Sequence, residues 1–306
     1  MNPVVSSQTI YTWVQKMNNS AALCLQIGQY ERAIKSIAKA LQLSRSHIEG
    51  SSSSDQEMSD SKPTQLLSLD DCIHYSECYF KSCNIHRKLR TTDSRGHISD
   101  NRSEETIRKR FLERRQERRN KLGNQFQPSD SQFLYQQLIQ VPDLTKESDH
   151  SKQLMVLSLI SIFNLAVVCH LRAMNERASK TGNSRQATTD LTKALKLYEV
   201  AYQGLQKHCV EEAARSSIQF KLVLCNNLSH VHHLMGNESQ QTAYLQEVLS
   251  VVMSLVDSYR PWNYADVVTS TERSTDFTRH RKCIDLDGFL ANAAPLLTER
   301  VCADAA

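Results

Sequence analysis

The stretch Asn18–Leu41, NNSAALCLQIGQYERAIKSIAKAL, decides how the rest of the 306-residue chain is read. Two runs of helix formers flank a single glycine, Gly28, and apolar or small residues recur at three- and four-residue intervals on both sides. This is the pattern of a helical hairpin. One hairpin cannot bury its apolar face alone, so a pattern this regular predicts further hairpins to stack against it.

Composition agrees with a helical stack. Hydrophobic residues make up 40% of the chain, enough for a sizeable core, while Gly (8) and Pro (6) are too few for a fold built from many tight turns. The net charge of +4 advertises no whole-protein field for nucleic acid or membrane. Nine cysteines are scattered without a CxxC pair, which argues against a disulfide framework or zinc module and for a reducing compartment, cytoplasmic or nuclear. The opening MNPVVSSQTIYTWVQ has neither a basic nor an apolar leader region, so no secretory signal is expected. The most apolar run, Leu154 to Cys169, is interrupted by Ser158, Ser161 and Asn164 and is expected to be a buried helix, too short and too polar to span a bilayer.

The chain divides into an N-terminal hairpin (1–47), a variable polar insert (48–150), a helical half (151–258), a polar loop (259–284) and a C-terminal capping helix (285–306). Within the insert, the Ser- and Asp-rich residues 44 to 65 are expected to be flexible, and 66–90 show no clean period. A basic helix is expected over 104–122. The run FLYQQLIQV, closed by Pro142, reads equally well as a short extended segment or a brief helix. Four long helices are expected over 153–178, 186–209, 211–235 and 238–258, and a last one that Pro295 kinks or splits.

The opening hairpin resembles the tetratricopeptide repeat, a 34-residue helix-turn-helix. With Gly28 as the turn glycine at repeat position 15, Tyr30, Ala33, Ile37, Ala40 and Leu41 match that family's choices for the second helix. The pattern MNNSA (17–21) returns as IFNLA (162–166) and CNNLS (225–229), placing Asn19, Asn164 and Asn227 at repeat position 6. In the second copy Ala194, Tyr198 and Ala201 take the places of Ala33, Ile37 and Ala40, with about sixteen extra residues expected to swell the turn around ERASKTGNSRQ; the third copy turns at Gly236. The phrases NLAVVCHLRAM, KALKLYEVAY and LDGFLANAAPLL are also similar to a group of tetratricopeptide-like proteins from diatoms, a resemblance that implies no activity. The fold class implied is all-α, degenerate and interrupted tetratricopeptide-like hairpins stacked as a short α-solenoid.

That resemblance implies a concave surface lined by repeat positions 5, 9 and 12. Here these are Asn18, Ala22, Leu25; Phe163, Val167, His170; and Asn226, His230, His233, a weakly polar stripe suited to a peptide or helix of a partner. Asn19, Asn164 and Asn227 are similar to the asparagine that bonds a bound peptide's backbone in such domains; tying neighbouring helices together would equally employ them. No catalytic or cofactor motif is present, and His170, His230, His232 and His233 lack the spacing of a zinc site, so no cofactor, metal or enzymatic activity is expected. The expectation is a protein-interaction scaffold with a protein or peptide partner and no membrane role, its oligomeric state left open. A nucleic-acid adaptor is ranked second: residues 102–121 carry nine Lys/Arg against four Glu, but only Phe111 supplies an aromatic ring.

Overall fold

The computed structural model describes residues 6–51, 68–77, 132–143, 150–179, 183–208, 217–259 and 286–303. Among them are eight helices and no strand: α1 (Ser7–Gln26), α2 (Tyr30–Ser51), α3 (69–77), α4 (His150–Ala178), α5 (Ser184–His208), α6 (Ile218–Leu234), α7 (Glu238–Tyr259) and α8 (Asp287–Ala303). The expected basic helix at 104–122 and the polar loop 259–284, beyond its first residue, lie outside the described residues.

The turn glycines act as their sequence positions require. Gly28 and Gly236 have φ of 75° and 74°, a left-handed conformation that side chains resist. Each lets the next amide reach back to the helix end, Gln29 N–H to Cys24 O and Asn237 N–H to His232 O, both at 2.9 Å. These closures make α1/α2 and α6/α7 tight hairpins. The α4/α5 connection departs from expectation: the extra residues lengthen the helices, to 29 and 25 residues, and do not swell the turn. Asn183 starts α5 as a cap, its Oδ1 accepting the Arg185 and Gln186 N–H groups at 3.1 and 3.2 Å.

The hairpins stack in chain order, with α2 and α1 against α4, α5 against α6, and α7 against α8. Ala33, Ala40, Ala194 and Ala201 are fully buried, as are Ile37 and Tyr198, so the small residues sit where helices approach most closely. Tyr30 is half-buried against this core. Arg172 of α4 cross-links three helices: it holds the buried Asp190 of α5 in a bidentate pair (2.7 and 2.5 Å) and also pairs with Glu31 of α2.

Three expectations change. Helix α2 continues through Ser51, into the segment expected to be flexible. Pro295 lies inside an unbroken α8 and does not split it. Helix α4 covers the expected 153–178, but the expectation that its apolar run is too short and too polar to span a bilayer changes. It holds the one stretch among the described residues, Gln153–Ala178, long and apolar enough to cross a membrane, and 67% of its most apolar window is buried inside the fold.

Candidate binding groove and its occupant

The first helices of the stacked units, α1, α4, α6 and α8, present a line of asparagines, and the chain's own residues 132–143, neither helix nor strand, run along it. Asn19 Oδ1 accepts the Val141 N–H at 2.9 Å while its Nδ2 donates to Val141 O at 2.9 Å. Asn164 grips Ile139 in the same way at 2.8 and 2.8 Å. Asn227 grips Tyr135 at 3.0 and 2.9 Å, and Asn292 grips Phe133 at 2.7 and 2.7 Å. In extended backbone the N–H and C=O of one residue point to the same side, so a side-chain amide with one donor and one acceptor satisfies both. The segment runs against the order of the helices, its start on α8 and its end on α1.

The spacing of these rungs follows from what occupies repeat position 5. Asn18 and Asn226 stand there in the first and third units, each adding a donor to the neighbouring rung: Asn18 Nδ2 to Ile139 O at 2.9 Å and Asn226 Nδ2 to Phe133 O at 3.0 Å. Their Oδ1 atoms accept from the next unit, from Asn164 Nδ2 at 2.9 Å and Asn292 Nδ2 at 2.7 Å. The asparagines therefore do both things the sequence left open, gripping backbone and tying helices. In the second unit position 5 is Phe163, which packs on Tyr198 and Phe220 instead, with ring centroids 5.8 and 5.3 Å away. Rungs 139 and 141 and rungs 133 and 135 are two residues apart, and across Phe163 the step lengthens to four.

The opposite side of the segment is covered by α3. Ser76 Oγ accepts the Gln140 N–H at 2.6 Å, and the Tyr135 hydroxyl donates to Glu77 at 3.4 Å. Gln15 of α1 closes the far end, its Nε2 reaching Pro142 O at 2.6 Å and Asp143 Oδ1 at 3.1 Å. At the other end Gly288 makes room for Phe133, since a Cβ there would come within 2.4 to 2.8 Å of three Phe133 ring atoms. That ring meets Phe289 edge-on, with centroids 4.9 Å apart. Leu134, Tyr135, Leu138, Ile139, Gln140 and Val141 are buried, and Gln136 is exposed.

Of the expected stripe, Asn18 and Asn226 bond the segment, while Phe163, His170 and His230 contact other core residues. Asn18, Ala22, Phe163, Val167, His170, Asn226, Asn227 and His230 are buried, and only Asn19, Leu25 and His233 are half-exposed. Asn292 was not among the sequence-derived candidates. Its signal was present: a small residue stands two positions after each of the four asparagines, at Ala21, Ala166, Ser229 and Ala294.

Behind the groove, polar contacts lead inward from Asn227, whose Nδ2 also donates to the Tyr198 hydroxyl at 3.2 Å. Tyr198 faces His170, and His170 Nε2 lies 3.0 Å from His230 Nδ1, so one imidazole donates to the other. Burial pushes His230 down to about 4, with His233 and Arg177 adding to the effect, and pushes His170 well below the ordinary histidine range. Among the described residues no group of three His, Cys, Asp or Glu is placed to hold a metal ion. Burial raises the Cys169 and Cys225 thiols to about 11 and 12, which leaves them poor nucleophiles.

The described residues define a helical solenoid of tetratricopeptide-like hairpins with a line of asparagines along its first helices. The tetratricopeptide repeat family model matches residues 17–47, the first hairpin. No curated protein and no solved structure matches the chain. Tetratricopeptide repeats generally mediate contacts between proteins.

Proposed function

We propose that the chain is a non-catalytic scaffold that binds an extended segment of a protein partner along the track formed by Asn18, Asn19, Asn164, Asn226, Asn227 and Asn292, flanked by Ala22, Phe163, Val167, His170, His230 and His233. The single observation that supports this reading is the chain's own segment 132–143, held there through its backbone. Amides that pair with N–H and C=O together recognise extended peptide whatever its side chains, the chemistry of strand addition without a sheet. The track carries no formal charge, which favours an apolar or uncharged segment over an acidic or basic one.

The test places a photoreactive benzophenone side chain at Leu25 or His233, the half-exposed members of the stripe, in the full chain within a nuclease-treated cell extract. Partner peptides should cross-link at both positions, and Asn164→Ala with Asn227→Ala should abolish the adducts. Adducts that survive that double substitution would move the binding surface elsewhere.

A further inference from the structure

We propose that segment 132–143 is a built-in, exchangeable occupant of the asparagine track, and that the partner segment which displaces it shares its spacing of backbone rungs and apolar side chains. This inference rests on the scaffold reading and adds to it both the partner's chemistry and its regulation.

The partner's chemistry follows from what the track touches. At Phe133, Tyr135, Ile139 and Val141 both backbone groups are used, so the displacing segment must be extended and free of proline at those four places. Proline is admissible one residue beyond the last rung, where Pro142 offers only its carbonyl, to Gln15. Leu134, Leu138, Ile139 and Val141 are buried, and Phe133 packs closely on Gly288, so the segment carries apolar side chains at these places and an aromatic ring at its start. Over residues 132–142 the segment has no charged side chain, and Asp143 is its first. The partner is therefore a protein segment of about ten residues, uncharged and apolar.

Regulation follows from the tether. A covalently attached occupant meets its site at an effective concentration on the order of millimolar, so a free segment of equal intrinsic affinity is held off until the tethered one is weakened. Weakening the occupant without touching the track should therefore open the track.

The experiment uses the full chain, wild type and Ile139→Pro, and a fluorescent synthetic peptide of sequence QFLYQQLIQVPD, the chain's residues 132–143. Proline at 139 removes the N–H that Asn164 accepts and leaves the track intact. Anisotropy titration should show the peptide binding the Ile139→Pro chain at least about 10-fold more tightly than wild type, the factor expected from one lost buried hydrogen bond. A peptide with proline in place of its isoleucine should bind either chain at least about 10-fold more weakly than the unsubstituted peptide. If the Ile139→Pro chain is unfolded alone, restoration of its helical circular dichroism by the peptide supports the proposal equally. A folded variant that ignores the peptide, an unfolded one that the peptide does not rescue, or tight binding of the proline peptide would each overturn it. Exchange of this peptide without partner adducts at Leu25 and His233 would keep the exchangeable occupant and remove the scaffold reading; adducts without exchange would do the reverse.

Discussion

Asn164 and Ile139, twenty-five residues apart in the chain, satisfy each other completely: one carboxamide closes both backbone groups of one residue, at 2.8 Å each way, with no solvent access to either. Asn164→Ala would leave the buried Ile139 N–H unpaired, at about 1–3 kcal/mol, and remove one of the two bonds to the Ile139 carbonyl, at about 1 kcal/mol. The Ile139 carbonyl keeps the Asn18 donor, so the expected loss is about 2–4 kcal/mol in urea unfolding. Asn19→Ala breaks the corresponding pair at Val141, but Asn19 is half-exposed and water can take its place, so that loss should be about 1–2 kcal/mol. Equal losses from the two substitutions would mean that burial does not set the strength of the grip.

A second expectation separates packing from helix propensity. Gly288 lies in the first turn of α8, and alanine there would favour the helix by up to about 1 kcal/mol if nothing else were close. Its Cβ would instead meet the Phe133 ring. Gly288→Ala should therefore destabilise the chain by about 1–3 kcal/mol, the usual range for overpacking. In the Phe133→Ala background the same change should be neutral or stabilising. A double-mutant cycle checks this. Additive effects would place Phe133 away from α8 in solution.

The helical hairpins were legible because each carries local signals, and the occupied groove was not because its signals are distributed. Gly28 and Gly236 mark turns by their own backbone needs, and Ala33, Ala40, Ala194 and Ala201 mark close helix contacts by size. Residues 133–141 defeated periodicity for a physical reason. A strand with one wet face alternates apolar and polar side chains, whereas this segment lies between the asparagine track and α3, so Ile139, Gln140 and Val141 are all buried in succession. Helix α3 was illegible because it is short and serves the segment and α6. Asn292 reads as part of a terminal cap because no turn glycine of the kind that follows Asn19 and Asn227 follows it, although its small neighbour two places on marks it.

The buried histidine pair sets an acid limit. Because the folded chain holds His230 down at about 4 and His170 well below its ordinary value, the unfolded chain binds more protons as pH falls below about 6.5. Their contribution is full above that pH and is lost progressively towards about 4, on the order of 3 kcal/mol for His230. Asp70 acts with the opposite sign. Burial raises it to about 6 against the Gln219 and Phe220 N–H groups that lower it, so its effect favours folding at low pH and fades as pH rises through about 6. Two histidines outweigh one carboxyl, and the melting temperature should drop between pH 7 and pH 4.5. His230→Gln should flatten that slope. An unchanged slope would mean that the pair is solvated.

Asp70 also supports a prediction about the cover over the groove. Helix α6 starts at Ser217 without a side-chain cap of its own, and Asp70 of α3 supplies one from elsewhere in the chain, accepting the Gln219 and Phe220 N–H groups at 3.0 and 3.1 Å. The same helix carries Ser76, which holds Gln140 of the groove segment, so the cap on α6 and the cover on the segment belong to one short element. Asp70→Ala should cost about 1–2 kcal/mol, the loss of a helix cap, and should also speed hydrogen exchange at Gln140 by releasing α3. Asp70→Asn keeps an acceptor at the same place without a charge to desolvate, so it should retain most of the stability and the slow exchange. Fast exchange at Gln140 in Asp70→Asn, or slow exchange in Asp70→Ala, would separate the cap from the cover and leave α3 held over the segment by other contacts.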